Sequence, residues 1–193
     1  MKILAIRLKN LASLAGPFEL DFTAEPLASA GLFAITGPTG AGKSTLLDAL
    51  CLALFGAVPR LNNTGRDAKV PDLDGEIATG DPRTLLRRGT GEGYAEVDFI
   101  GIDGRRYRAR WEANRAREKA TGKLQASRQS LRDLDSDQLL ASQKGDYKVQ
   151  LETRLGLNFE QFKRAVMLTK SEFSDFIKAE DKESSELLEK IRD

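Results

Sequence analysis

Apolar residues occupy every second position in two short stretches near the start of the chain, residues 2–9 and residues 18–22. A period of two is typical of a strand with one buried face, so we predict two half-buried strands. Gly16 and Pro17 lie between the two stretches. Such a turn signal favours antiparallel neighbours over a helical crossover.

An apolar run, residues 32–36, comes next and ends at a glycine-rich turn. A continuous run of this kind is typical of a strand buried on both faces, and we predict the central strand of a sheet here. Beyond the turn, apolar residues follow the helical spacing over residues 46–55, and Gly56 with Pro59 supplies the stop. We expect this helix to pack one face on the sheet.

Residues 61–93 are rich in Asn, Asp, Gly, Pro and Arg and show little periodicity, which predicts a loop-rich segment. Residues 94–102 and 105–111 are strand-like and flank Asp103 and Gly104. Because these two residues tolerate positive φ, they predict a tight hairpin turn.

The remainder of the chain is more polar. Residues 112–130 are polar and basic, whereas residues 146–157 and 158–167 have helical patterns, and a last polar helix runs from about residue 171. The length of 193 residues predicts a single domain.

The 30 basic and 29 acidic side chains leave a net charge of +1, so a nucleic-acid or membrane surface would have to be a local patch. One Cys and no His exclude an intramolecular disulfide, a Cys/His zinc site and a histidine base supplied by this chain. Cys51 lies on the apolar face of the predicted helix and is expected to be a core residue. Without a signal peptide or a membrane-length apolar run, we expect a cytoplasmic protein with no membrane partner.

The pattern G-x-x-x-x-G-K-S/T occurs in full between the predicted central strand and the predicted helix, the context that this phosphate-binding motif requires. Its glycines let backbone N–H groups converge on phosphate oxygens, and the helix N-terminus adds partial positive charge. Lys43 would bridge the β- and γ-phosphates, Ser44 would bind Mg²⁺, and Thr45 would cap the helix or contact the α-phosphate. The predicted nucleotide-binding residues of this loop are Gly37, Pro38, Thr39, Gly40, Ala41, Gly42, Lys43, Ser44 and Thr45.

The Asp or Asp-Glu pair that completes the metal site of a phosphate-loop enzyme should end an apolar strand, and no segment of this sequence qualifies. Residues 99–103 come nearest, but Asp103 lies in the predicted hairpin turn. The chain therefore has the features of half an active site, with no complete catalytic set.

These motifs resemble the N-terminal ATPase segment of the bacterial SbcC family, which are SMC-like ABC ATPases of DNA double-strand-break repair. The resemblance covers essentially the whole chain. The segments that carry it are residues 1–4 with 8–11, 31–49, 51–55 with 59–61, 88–89, 95–99, 107–111 with 114–117, 166–168 and 172–176. It implies an α/β fold of the P-loop NTPase class, the N-terminal lobe of an ABC ATPase head, with a mixed sheet and antiparallel hairpin strands.

The resemblance makes residues 1–193 a single lobe that leads to a coiled coil. Its parts are strands with the phosphate loop and its helix (1–60), a loop-rich segment (61–93), a hairpin with a basic stretch (94–130) and a helical segment (131–193). The polar helix from residue 171 is interpreted as the coiled-coil root, with a solvated surface helix as the alternative.

The family also implies cofactors and partners. ATP and Mg²⁺ would be bound, a C-terminal lobe of the same protein would supply the Asp-Glu strand and the signature motif, and a homodimer of heads would sandwich two ATP molecules. An SbcD-type nuclease would cut double-stranded DNA, and ATP binding and hydrolysis would gate the access of DNA ends to it. In a cytoplasmic, nucleoid-associated complex of this kind, the isolated lobe is expected to hydrolyse almost no ATP.

Two positions bear on the nucleotide. The first loop, with Asn10 and Ser13, is implied to contact it, and Ala12 stands where relatives outside the bacterial branch have an Arg. Lys170 occupies the position of the family's Q-loop Gln, which contacts Mg²⁺ and the attacking water. An ammonium cannot ligate a cation, so metal coupling there should be weak; the alternative is that Lys170 points into solvent.

Arginines alternate along the second strand of the predicted hairpin and continue beyond it, which makes a basic stripe by the two-residue period. The DNA-contact candidates are Arg106, Arg108, Arg110, Arg115 and Arg117. Phosphate contacts need only charge and reach. The alternative is a solvated strand face whose arginines pair across the hairpin with Glu92, Glu96 or Asp98.

Two other function classes stay open at this point. A different phosphate-loop class, such as a small-molecule kinase or GTPase, would need its own metal-binding Asp and recognition motif, which we do not find. A structural or regulatory module would bind nucleotide without turnover.

Overall fold

The computed structural model describes residues 1–62, 68–73 and 75–166. The strands are β1 (Lys2–Lys9), β2 (Phe18–Asp21), β3 (Lys69–Asp72), β4 (Gly75–Ala78), β5 (Glu92–Ile100), β6 (Arg106–Asn114), β7 (Arg128–Asp133) and β8 (Gln138–Ala141). The helices are α1 (Lys43–Phe55), α2 (Pro59–Asn62), α3 (Lys144–Leu155) and α4 (Phe159–Val166). Six strands form one sheet in the order β2-β1-β5-β6-β7-β8, and β3 pairs with β4 as a separate hairpin.

The first strand pair and the long hairpin are confirmed. β1 and β2 are antiparallel. β5 and β6 are also antiparallel, in a register that sets Ala95 opposite Trp111. Their turn closes with a hydrogen bond from the Gly101 N–H to the Arg105 carbonyl, 2.9 Å, and Gly104 has a φ of +77°. Only a residue without Cβ adopts that φ at low cost, so the turn residue was a reliable signal.

The core lies between α1 and one face of the sheet. Small inward residues of β5 and β6, Ala95 and Ala109, are completely buried and let the helix come close. Buried positions occupy most of α1, with Leu47 as an exposed exception, so the helix is enclosed on more than the one face that was expected. Cys51 is buried in this core, as predicted.

The C-terminal end of α1 meets the last two described helices. The Tyr147 hydroxyl on α3 donates to the carbonyl of Ala53 at 2.6 Å. On α4, the rings of Phe159 and Phe162 lie 5.2 Å and 5.1 Å from the ring of Phe55. Both predicted helices are therefore present, and they pack against the C-terminal end of α1.

The predicted central strand at residues 32–36 is wrong for the described chain. This segment has no strand pairing, with a bend at Leu32, and Leu32 is 93% exposed. An apolar strand is buried only when hydrogen-bonded neighbours and packed layers surround it, and none of the described residues supplies a strand beside this one. The described sheet is consequently antiparallel throughout, not mixed.

Two strand pairs lie in stretches that were predicted otherwise. β3 and β4 form a hairpin within the loop-rich segment, and β7 with β8 extends the sheet across the basic stretch and the start of the segment predicted as helical. β7 has Leu131 as its one apolar residue, which sits opposite Ala109 of β6. Residues 128–133 form a strand because they pair with β6, and their own pattern of polar and apolar residues does not predict it.

Within the three described ranges, no helix has both the length and the apolar character needed to cross a bilayer. The last polar helix that was predicted from residue 171 lies outside the described residues.

Candidate nucleotide-binding site

The phosphate-binding motif forms a turn that leads directly into α1. Gly37, Gly40 and Gly42 have φ values of +153°, +85° and +91°. These conformations are accessible to glycine and strained for other residues, so the spacing of the glycines matches the backbone path. Gly42 is also the N-cap of α1 and brings no side chain to the helix end. The first-turn N–H groups and the helix dipole therefore face the loop, an arrangement suited to an anion.

Lys43 curls back over the same turn. Its Nζ donates hydrogen bonds to the carbonyl oxygens of Gly37 at 2.7 Å and Pro38 at 2.8 Å. The ammonium thus lies on the concave side of the loop, where phosphate oxygens would compete with these carbonyls for its protons. This geometry fits the role expected for Lys43.

Ser44 and Thr45 follow in the first turn of α1. Ser44 is exposed, and its hydroxyl is accessible for a cation, whereas Thr45 is buried. No group of three acidic, His or Cys side chains suited to a metal occurs among the described residues. In this class of site, Mg²⁺ is bound by one hydroxyl together with the phosphates of the nucleotide, so Ser44 fits that role. The remaining Mg²⁺ ligands must come from groups outside the described residues.

The first loop, residues 10–15, lies against the phosphate loop. A Cβ built on Gly42 would stand 2.7 Å from the Cδ2 of Leu14, so Leu14 packs directly on the Gly42 backbone. Asn10 uses its side-chain amide to donate to the Glu92 carbonyl at 2.9 Å, and Ser13 is exposed next to Leu14. The structure thus brings the neighbourhood of Asn10 and Ser13 to the glycine-rich turn. Leu14 was missed, because nothing in its local pattern indicates a partner 28 positions away.

Asp103 is excluded from this site by its place in the sheet. It lies beyond the end of β5 that pairs with Lys2, while the other end of β5 pairs with Lys9 beside the first loop. The nine residues of β5 separate the two ends by roughly 30 Å. Asp103 instead accepts a hydrogen bond from the Tyr107 hydroxyl at 2.5 Å, which holds the pKa of its carboxyl below the usual range.

The strand arginines of the basic stripe are paired with carboxylates. Arg108 binds Asp98 through two hydrogen bonds of 2.6 Å and 2.8 Å, and Arg110 binds Glu96 at 3.0 Å. Arg106 pairs with Asp135 at 2.7 Å. These pairs match the alternative interpretation of a self-neutralised strand face, with Glu96 and Asp98 as the expected cross-hairpin partners.

Arg7 on β1 completes this cluster on the outer face of the sheet. It donates to Asp98 at 2.8 Å and to Glu96 at 3.2 Å. Burial raises the pKa of Asp98, but the hydrogen bonds from Arg108 and Arg7 outweigh it and hold that pKa below its ordinary value. Glu92, the third carboxylate considered, pairs with Lys9 across β1 and β5.

The last two arginines of the stripe differ from each other. Arg115 pairs with Asp72 of the small hairpin at 2.5 Å. The side chain of Arg117 is exposed and makes no hydrogen bond or ion pair with any part of the chain that the structure describes. It lies in the loop between β6 and β7, which also contains the exposed cations Lys119 and Lys123. Arg117 borders a cleft that Glu112, Glu118 and Arg128 also line. Lys170 lies outside the described residues.

A family model described as AAA domain matches residues 5–193. The chain belongs to the AAA domain family. This AAA domain is 66% identical over its full length to the SbcC component of the SbcCD nuclease of Pseudomonas aeruginosa and 52% identical over 99% of its length to that of Rhodobacter capsulatus. It spans 16% of the length of each. Over 96% of its length it is 28% identical to the probable DNA double-strand break repair Rad50 ATPase of Aquifex aeolicus. The resemblance to SbcC that the motifs carried is confirmed.

Proposed function

We propose that this AAA domain is the ATP-binding half of the ATPase head of an SbcC-like complex for double-strand-break repair, in which ATP binding and hydrolysis gate the access of an SbcD-type nuclease to DNA ends. The observation that carries the proposal is the phosphate loop at the start of α1, with Lys43 folded over its concave side. The names of the similar proteins, nuclease components and a repair ATPase, favour this function over a small-molecule kinase or GTPase.

ATP and Mg²⁺ are the proposed cofactors. Backbone N–H groups of residues 37 and 39–45 would hold the phosphates, because Pro38 has no N–H to donate. Lys43 would neutralise the β- and γ-phosphates, and Ser44 would contribute a hydroxyl to the metal. When bound, Mg²⁺ neutralises charge on those phosphates. Asn10 and Ser13 would border the nucleotide through the first loop.

The exposed apolar segment supports the need for a second lobe. Leu32, Phe33 and Ile35 come immediately before the phosphate loop and are all exposed to 44% or more. Apolar side chains of this size stabilise a protein when they are removed from water, so this segment is suited to becoming a strand against another lobe. A C-terminal lobe of the same protein would provide that cover together with the catalytic Asp-Glu. Two such heads, engaged as a homodimer in the cytoplasm, would complete the ATPase.

Double-stranded DNA is the proposed polymeric partner, and the ion pairs of the five candidate arginines favour one of them over the others. Arg106, Arg108, Arg110 and Arg115 already have carboxylate partners, so each adds little net attraction for phosphate. Arg117 has no ion pair with a carboxylate among the described residues. The loop between β6 and β7 is therefore the better candidate for a DNA contact.

A comparison of the 193-residue chain with the full-length protein tests whether this chain supplies only half of the active site. We expect the chain alone to bind ATP weakly and to hydrolyse almost none, whereas the full-length protein hydrolyses it. Calorimetric titration measures the binding and phosphate release measures turnover. Turnover of about one per second by the chain alone, near the low end of ordinary enzyme rates, would show that the chain does not need a second lobe for hydrolysis. An inactive full-length protein that binds no nucleotide would contradict the ATPase itself.

A further inference from the structure

The first loop is closed by its own backbone hydrogen bonds, from Asn10 to Ala15 and between Leu11 and Leu14, yet two of its residues have an unfavourable backbone conformation. Asn10 and Ala12 have left-handed φ values of +53° and +48°. This region is unfavourable for residues with a Cβ, and Ala12 has no polar side chain to compensate locally. Contacts from outside the loop add to these internal hydrogen bonds and offset the cost of this conformation.

Residues 85–87 provide those contacts. The Ala12 N–H donates to the Leu85 carbonyl at 2.8 Å, and the Arg87 N–H donates to the Asn10 carbonyl at 2.9 Å. The Arg87 guanidinium then donates from one nitrogen to the carbonyl oxygens of Ser13 at 2.7 Å and Ala12 at 3.3 Å. Because its own backbone is tied to the same loop, Arg87 presents a guanidinium that is already oriented toward these carbonyls.

The far side of the same loop packs on the phosphate-binding turn. Leu14 follows Ser13 directly and lies against the Gly42 backbone, with Cδ2 and Cγ 2.7 Å and 2.8 Å from the place of a Cβ. Gly42 precedes Lys43 and Ser44. A displacement of the Ser13 carbonyl would therefore be expected to move Leu14 against Gly42, the N-cap residue of α1.

We propose that Arg87 is a positioning residue of the nucleotide site: by holding the carbonyls of Ala12 and Ser13, it keeps Leu14 on Gly42 and so sets the geometry of the phosphate loop. The inference rests on the proposed ATP binding. Arg87 acts through the first loop and does not contact the nucleotide itself. The affinity of the phosphate loop for nucleotide therefore depends on Arg87, which lies 44 positions after Lys43.

Arg88 offers a matched control. It borders the same shallow cleft as Ala12 and Arg87 and carries the same charge, but it is exposed and makes no hydrogen bond or ion pair within the described ranges. Arg88→Ala therefore removes one positive charge near the loop without removing the carbonyl contacts. Arg87→Lys keeps the charge and one donor.

The test uses the full-length protein and Mg²⁺-ATPγS. We expect Arg87→Ala to weaken nucleotide binding by about tenfold, Arg88→Ala to change it less than about twofold, and Arg87→Lys to recover part of the loss. In the nucleotide-free protein, amide hydrogen exchange at residues 42–46 should be faster in Arg87→Ala than in Arg88→Ala. A purely structural role would lower the melting temperature without this local change.

Equal nucleotide affinity and equal exchange in Arg87→Ala and Arg88→Ala would overturn the positioning role. Faster exchange over the whole domain in Arg87→Ala, with no excess at residues 42–46, would overturn it as well. If the wild-type protein binds no nucleotide, the proposed ATP binding fails, and hydrogen exchange alone decides whether Arg87 positions the loop.

Discussion

The guanidinium of Arg108 and the carboxylate of Asp98 form a two-pronged ion pair across neighbouring strands, with nitrogen to oxygen distances of 2.6 Å and 2.8 Å. The side chain of Asp98 is 9% exposed, whereas that of Arg108 is 35% exposed. This ion pair stabilises the folded chain, and it also leaves Arg108 less available to bind a DNA phosphate.

The stability of the domain should depend on Asp98 in a pH-dependent way. Its pKa is lower in the folded chain than the ordinary value of 3.8, so the folded state releases this proton more readily than the unfolded state. The contribution is therefore complete above the ordinary value and is lost as the pH falls through the folded pKa. Asp98→Asn should lower the free energy of unfolding by about 2 kcal/mol at pH 7, with a smaller difference near pH 3. Urea unfolding of the 193-residue chain across this range measures both. A difference that is the same at pH 3 and pH 7 would contradict it.

DNA binding should depend on Arg117 more than on Arg108. Arg117→Ala in the full-length protein should reduce the slope of log affinity against log salt by about one, the value for one lost phosphate contact. Arg108→Ala should leave the slope unchanged while lowering the melting temperature. Fluorescence anisotropy with a duplex at several salt concentrations gives the slopes. If Arg108→Ala flattens the slope and Arg117→Ala does not, the strand face is the DNA surface.

Lys43 should be selective for the triphosphate. Removing its ammonium by Lys43→Ala deletes the contact with the β- and γ-phosphates, so ATP affinity should fall more than ADP affinity, with the fold intact. Lys148→Ala on α3, whose side chain is 73% exposed, is the control for a lost surface charge. Calorimetric titration of the full-length variants compares them. Unchanged ATP affinity in Lys43→Ala would rule out its role at the phosphates.

Gly42 and Gly40 provide a test of the Leu14 contact. Both have left-handed φ values, so Ala is strained at either position by about 1 kcal/mol. A Cβ at Gly40 meets open space, whereas one at Gly42 collides with Leu14. Gly42→Ala should therefore reduce the free energy of unfolding more than Gly40→Ala, and adding Leu14→Ala should cancel part of the excess. Urea unfolding of these variants measures the free energies of unfolding. Equal losses of stability in Gly42→Ala and Gly40→Ala would contradict the contact between Leu14 and Gly42.

The Tyr147 hydroxyl should stabilise the end of α1. It is buried and donates to the carbonyls of Ala53 and Leu54 in the last turn of α1, and burial raises its pKa. Tyr147→Phe leaves these carbonyls without that donor and should cost about 1–2 kcal/mol. Tyr94→Phe is the control, because the Tyr94 hydroxyl makes no hydrogen bond in the part of the chain that is described. Equal melting temperatures of the two variants would exclude the capping role.

Contiguous features could be predicted from the sequence. The alternation in β1 and the turn residues between β5 and β6 act within one element or one hairpin, so their physical cause is local. The phosphate loop is the clearest case. Its donors and glycines lie within nine positions, and the positive φ values at Gly40 and Gly42 are those that glycine alone adopts at low cost.

Relations between distant segments were decided by the tertiary structure. The apolar run at residues 32–36 has the pattern of a buried strand, but burial depends on neighbours, and no described segment pairs with it. The arginines of β6 share one face by periodicity, yet only the register with β5 sets Arg108 opposite Asp98 and neutralises it. Arg87 reaches Ser13 only because backbone hydrogen bonds bring residues 85–87 to the first loop. The hydrophobic period and the phosphate-binding motif depend on residues that are close along the chain, so the sequence alone determined the phosphate loop. Strand pairing and ion pairing depend on the register and on which segments approach each other in space, so only the tertiary structure determined the surroundings of that loop.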